Sequence, residues 1–137
     1  MITEAYTKGR FDYGVGKCAV VIVEGGEVIH QVAWRVPDSW RFNGDTIAAD
    51  QYNCEILAAT YVVNWCRQNE RKTLNIYSNL ATCQKWYYRD DFPDGRVMGK
   101  AFIDAHGKDI DVYAEYIPKS SDNEFNRLVN ELAENVK

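Results

Sequence analysis

The chain switches between two hydrophobic periods, and the switches mark its elements. Ile2 to Thr7 has strand character and leads into a turn-like stretch from Lys8 to Gly16. Cys18-Ala19-Val20-Val21-Ile22-Val23 is an unbroken apolar run, the pattern of a strand covered on both faces. Glu24-Gly25-Gly26-Glu27 predicts a tight hairpin, because paired glycines accept positive φ angles. Val28 to Val36 then alternates, with Val28, His30, Val32 and Trp34 on one face. After a polar loop (Pro37 to Asp45) the period lengthens. Tyr52, Ile56, Ala59, Val63 and Cys66 recur at three- and four-residue steps, which predicts a helix over 48–68 with one buried stripe. A strand follows over 72–78, a short helix over 80–88, a turn over 90–95 and a further helix over 97–106. Ile110 to Ile117 alternates as the last strand. Phe125, Leu128, Val129, Leu132 and Val136 form the stripe of a closing helix over 123–136.

The predicted order is therefore β-β-β-α-β-α-β-α, with an extra helix before the last strand. Hairpin-linked strands followed by alternating helices and strands predict an α/β fold, a five-stranded mixed sheet with helices on both faces. A length of 137 residues suits one domain spanning 1–137.

Composition narrows the function classes. The net charge is −4, whereas proteins that live by gripping phosphates usually carry a basic excess. No apolar run approaches the roughly 20 residues that span a bilayer. The opening Met1-Ile2-Thr3-Glu4-Ala5 lacks the layout of a signal peptide, so a cytoplasmic protein with no membrane partner is expected. Cys18, Cys54, Cys66 and Cys83 are scattered, with no Cys-x-x-Cys pair, and are expected to be packing residues.

Four segments carry a resemblance. Ala5-Tyr6-Thr7-Lys8-Gly9, Asn53-Cys54-Glu55-Ile56-Leu57-Ala58-Ala59, Ile76-Tyr77-Ser78-Asn79 with Lys85-Trp86, and Asn126-Arg127-Leu128-Val129-Asn130-Glu131-Leu132-Ala133 follow one another in order. Together they resemble the ribonuclease H superfamily, in the flavour of its type 1 and viroplasmin-associated branch. The first resembles the family's tyrosine-threonine-aspartate-glycine, with Lys8 at the aspartate. The last resembles its asparagine-glutamate-x-x-aspartate-x-leucine-alanine signature.

The resemblance implies cleavage of the RNA strand of an RNA/DNA hybrid by two divalent cations, held by four carboxylates. The matched positions read Lys8, Glu55, Asn79 and Asn130. Four carboxylates would supply −4, whereas this set sums to zero. At 4 Å, two unit charges interact by about 4 kcal/mol at an effective dielectric of 20, so Lys8 opposes a metal by an energy of that order. The expected metal set is none, with Lys8 and Glu55 pairing instead. If the register slipped by one, Asp12 and Asp122 would be the substitute ligands, and magnesium or manganese the cofactor. The loop Lys119-Ser120-Ser121-Asp122-Asn123 also lacks the histidine common in the family. Asn79 equally suits a helix N-cap for Leu80 onward.

The expectation is a catalytically impaired module acting through a protein partner or weak nucleic-acid binding. The alternative is an active endonuclease with a rearranged site. Lys85, Trp86, Arg89, Arg96 and Lys100 interleave basic and aromatic residues in a way that suits nucleic-acid contact. Asp90, Asp91 and Asp94 offset that charge. The edge strands and the aromatics around Trp40 and Phe42 are candidate protein contacts.

Overall fold

The computed structural model describes residues 1–37, 47–80 and 109–137. The helices expected over 80–88 and 97–106, the turn over 90–95, and Trp40, Phe42, Cys83 and His106 lie outside the described residues, apart from Leu80. The described elements are β1 (Thr3–Asp12), β2 (Val15–Glu24), β3 (Glu27–Arg35), α1 (Ile47–Gln68), β4 (Thr73–Ser78), β5 (Asp111–Tyr116) and α2 (Glu124–Glu134). The strands form one five-stranded sheet in the order β3-β2-β1-β4-β5. β1, β2 and β3 pair antiparallel, while β4 pairs parallel to both β1 and β5. The sheet is therefore mixed, as the element order predicts.

One expectation fails at the start of the chain. The stretch from Lys8 to Gly16 is strand, not turn. β1 runs ten residues to Asp12, and only Tyr13 and Gly14 make the turn, at φ 51° and 76°. The polar and glycine residues that look turn-like are held extended by pairing with β2, Lys8 against Ala19 and Asp12 against Val15. The glycine hairpin behaves as expected, with Gly25 and Gly26 at φ 60° and 80°.

Two apolar layers sandwich the sheet. Ala5, Val20, Ile22, Leu74, Ile76 and Val112 meet Ile56, Ala59, Val63 and Cys66 of α1 on one side. Tyr6, Ala19, Val21 and Val23 meet Val129 and Ala133 of α2 on the other. β2 is thus covered on both faces, which is why it carries no polar alternation. Cys18, Cys54 and Cys66 are buried free thiols. His30 lies in β3, where its Nε2 is 2.8 Å from the Tyr61 hydroxyl, and its ring stacks on Trp65. Among the described residues no helix is long and apolar enough to cross a membrane.

One contact places α1 on the sheet. A Cβ built on Gly9 would lie 2.3 Å from the Glu55 backbone nitrogen and 2.5 Å from the Cys54 carbonyl carbon. The α1 backbone therefore crosses β1 at the one position that has no side chain, and this crossing brings Glu55 to the sheet.

Candidate functional site

β4 stops at Ser78, which pairs with Thr7, and β1 runs on past it through Lys8 and Gly9. Three elements deliver side chains there: β1, α1 and the end of β4. α2 closes the corner with Asn126 and Asn130. Thr7, Lys8, Glu55, Ser78, Asn126 and Asn130 are all buried polar or charged residues in a molecule of this size. Carboxylates and lysines are almost never fully buried without partners, so this concentration marks the corner as special.

Glu55 is 1% exposed. Its Oε2 accepts a hydrogen bond from Ser78 Oγ at 3.3 Å, and its carboxyl also accepts from the Gly9 backbone N–H. Burial nevertheless outweighs these bonds and the Lys8 charge, and pushes the Glu55 carboxyl up to about 7. Burial likewise lowers Lys8, against the pull of Glu55; Lys119 and Arg10 lower it further. The two groups therefore influence each other electrostatically in a poorly solvated place.

The asparagines are joined in a chain. Asn79 Nδ2 donates to the Ile117 carbonyl at 2.9 Å and to Asn126 Oδ1 at 3.0 Å. Asn130 Nδ2 donates to the Asn126 carbonyl at 2.8 Å, and its contact with Asn126 Oδ1 is a longer 3.4 Å. Asn126 Nδ2 in turn donates to the carbonyls of Pro118 and Lys119. A backbone carbonyl only accepts, so each amide must present its nitrogen to it, which fixes all three orientations. The Oδ1 atoms of Asn79 and Asn130, with Thr7 Oγ1, are consequently left buried without a hydrogen-bond partner.

An aspartate at position 79 has no N–H for the Ile117 carbonyl or for Asn126. Asn79→Asp is therefore expected to lose both bonds and to set a charge against two oxygens. The cost at pH 7 is about 2 kcal/mol or more, readable as a lower urea midpoint at unchanged slope. Stability equal to the parent protein would show that the amide nitrogen is dispensable.

The structure thus brings Lys8, Glu55, Asn79 and Asn130 to one corner. Ser78 Oγ accepts from the Leu80 N–H at 3.1 Å, and the helix that Asn79 would cap lies outside the described residues. Asp12 is drawn away into an ion pair with Arg10 at 2.8 Å. Asp122 is exposed, and its backbone carbonyl accepts from Arg127. Neither joins the corner as a substitute ligand. Asn123 caps α2 by accepting from the N–H groups of Phe125 and Asn126, and its Nδ2 donates to the Tyr6 hydroxyl at 3.1 Å. Lys85, Trp86, Arg89, Arg96 and Lys100 lie outside the described residues.

The sequence reading missed Asn126 as the hub of the corner. Its only signal was the four-residue step to Asn130, which places both on one helix face. Thr7, Gly9 and Ser78 were passed over as motif filler.

Two divalent cations require several anionic oxygens. Among the described residues, no three His, Cys, Asp or Glu side chains group together in a way that suits a metal ion. The corner offers one carboxylate that burial biases toward its neutral form, amide oxygens and an ammonium. These residues do not fit a metal pair.

No protein-family model matches the chain, and no curated protein matches it in sequence. Solved structures do match in shape. The ribonuclease H1 of the halophilic archaeon Halobacterium salinarum NRC-1 aligns with a TM-score of 0.71 at 13% identity, over 98% of this chain and 96% of that one. The N-terminal ribonuclease H domain of a Mycobacterium tuberculosis protein, solved as a fusion with maltose-binding protein, gives 0.70 at 10% identity, over 99% and 98%. LC11 ribonuclease H1 in complex with an RNA/DNA hybrid gives 0.65 at 16% identity, over 96% of each chain.

Proposed function

Starting from the ribonuclease H superfamily fold that the chain adopts, we propose that it is a non-cleaving member, a pseudo-nuclease that serves as a binding module. One observation carries this reading. At two of the positions where the family resemblance puts metal-binding aspartates, the Asn79 and Asn130 amide nitrogens are spent on backbone carbonyls. Those bonds are open to an amide and closed to a carboxylate. Such positions are adapted to a hydrogen-bonded corner, beyond the mere loss of charge. Lys8 supports the same reading, since it adds a buried positive charge at the third position.

The binding partner in this reading is nucleic acid held weakly, or a protein. The solved complex of a similarly folded ribonuclease H1 with an RNA/DNA hybrid favours testing a hybrid first. The overall charge of −4 limits the affinity expected from phosphate contacts. A cytoplasmic location and a single domain over the full chain belong to this proposal as well.

The test pairs two assays on one labelled RNA/DNA hybrid. Cleavage is followed with magnesium and then manganese, and binding is followed by fluorescence anisotropy with EDTA present. The expected result is intact RNA in both metals and binding that weakens steeply with salt. Metal-dependent cleavage at enzyme rates would overturn the proposal. Neither cleavage nor binding would leave the protein partner as the module's target.

A further inference from the structure

The two faces of the sheet are covered unequally. α2 lies across β2, β1 and β3, and among the described residues no helix packs extensively on the same face of β4 and β5, where Tyr77 is half-buried and Tyr113 exposed. Strand alternation puts Glu4 of β1, Tyr77 of β4, and Asp111, Tyr113 and Glu115 of β5 on this face, with the buried Tyr6 of β1 at its inner border against α2. Pairing aligns them in rows. Tyr6 stands beside Tyr77, and Tyr77 beside Glu115; in the next row Glu4 and Tyr113 flank Asn75.

The surface has a defined chemistry. The Tyr6 and Tyr77 rings stack with centroids 4.8 Å apart. Tyr77 donates its hydroxyl proton to Glu4 Oε2 at 3.1 Å, which holds that carboxylate at the edge of the rings. Tyr113 is 60% exposed, a large amount for an aromatic side chain on a strand, and Asp111 and Glu115 are exposed on the same strand. Glu4 and Glu115 both act electrostatically on Tyr6 and Tyr77, so the acids and rings form one patch. Among the described residues the patch contributes three carboxylates and no cation. Lys8 and Arg10 lie further along β1, past the last pairing with β4 at Ser78.

We propose that this tyrosine–carboxylate face of β1, β4 and β5 docks an arginine-bearing segment of a protein partner. A guanidinium is the side chain that satisfies both halves of the patch. It stacks on a tyrosine ring and forks onto a carboxylate at the ring's edge. A nucleic acid meets three carboxylates there and is repelled. A purely apolar partner would strip water from those charges without replacing it. The inference is independent of the reading of the Lys8 and Glu55 corner, which uses none of these six side chains.

The test is an NMR titration of the full chain with a capped peptide of alternating arginine and alanine, and with its glutamate counterpart as control. The expected result is saturable shifts centred on the amides of Asn75, Tyr113 and Glu115 at about 150 mM salt, where long-range attraction is screened. Glu115→Gln should weaken binding by about two- to fivefold, the range of one exposed ion pair. Adding Tyr113→Ala should bring the loss to about tenfold or more, through the lost ring contact. Both residues are exposed, so neither change threatens the fold. An equal loss in Glu131→Gln, on the exposed side of α2, would reduce the effect to net charge and overturn the proposal. So would an absence of saturation, or shifts at these amides caused by an RNA/DNA hybrid in place of the peptide.

Discussion

Replacing Glu55 with glutamine is expected to change how stability depends on pH more than it changes stability at any one pH. Burial raises the Glu55 carboxyl to about 7 in the folded chain, against an ordinary value of 4.5. The native state therefore keeps a proton that the unfolded state has already released. Stability from this group is complete below pH 4.5 and is lost as pH rises to about 7. The shift corresponds to roughly 3 kcal/mol. One other carboxylate titrates outside that window. Glu24 is held below its usual range, first by its bond from Arg71, so its contribution is lost only at lower pH. Lys8 is lowered by burial, and it is present in both proteins being compared. Urea unfolding of the parent and Glu55→Gln at pH 4.5, 6, 7 and 8 should thus show the variant gaining about 3 kcal/mol relative to the parent across the series. Parallel pH curves for the two proteins would contradict the buried, proton-retaining carboxyl.

The second large effect belongs to a residue with no side chain. Gly9→Ala is expected to destabilise the fold by more than about 3 kcal/mol, at the upper end of overpacking changes. All three nearest atoms to the added methyl belong to the α1 backbone at Cys54 and Glu55, and all lie closer than 2.9 Å. A flexible side chain could swing aside, whereas a helix backbone in the core has nowhere to go. The helix must therefore lift off β1 and carry Glu55 with it. Thermal unfolding followed by far-UV circular dichroism reads the loss directly. An alanine variant melting within a few degrees of the parent would show that the α1 crossing is loose. Gly25→Ala, at the open hairpin tip, provides the contrast. Nothing lies within 4 Å of its added methyl, so its cost is limited to the backbone strain of φ 60°.

These two predictions separate what local patterning reveals from what it hides. Glu55 is legible in the sequence as a lone acid beside the stripe of Tyr52, Ile56 and Ala59. Its depth of burial is not, because that depends on Ser78 and Gly9 arriving from other strands. Gly9 reads as part of a turn, since glycine is common in turns. Its actual role is to admit a helix 45 residues further along the chain, and no window on the sequence spans that contact. Asn79 and Asn130 were legible as amides where the family resemblance implies acids. That Asn126 binds both was invisible, because a side-chain hydrogen bond leaves no hydrophobic period.

The sequence by itself determines the types of most described elements, the glycine hairpin and the two-sided burial of β2. Periodicity is a local property and survives without a three-dimensional frame. Only the tertiary structure decides the strand order β3-β2-β1-β4-β5, the extension of β1 through Lys8, and the point where β4 ends while β1 runs on. It also decides that burial raises the Glu55 carboxyl to about 7 and that three asparagines hold one another in place. The physical reason is the same in each case. Desolvation and hydrogen-bond partnership are set by which distant segments meet, and a chain read in order records the groups but not their meetings.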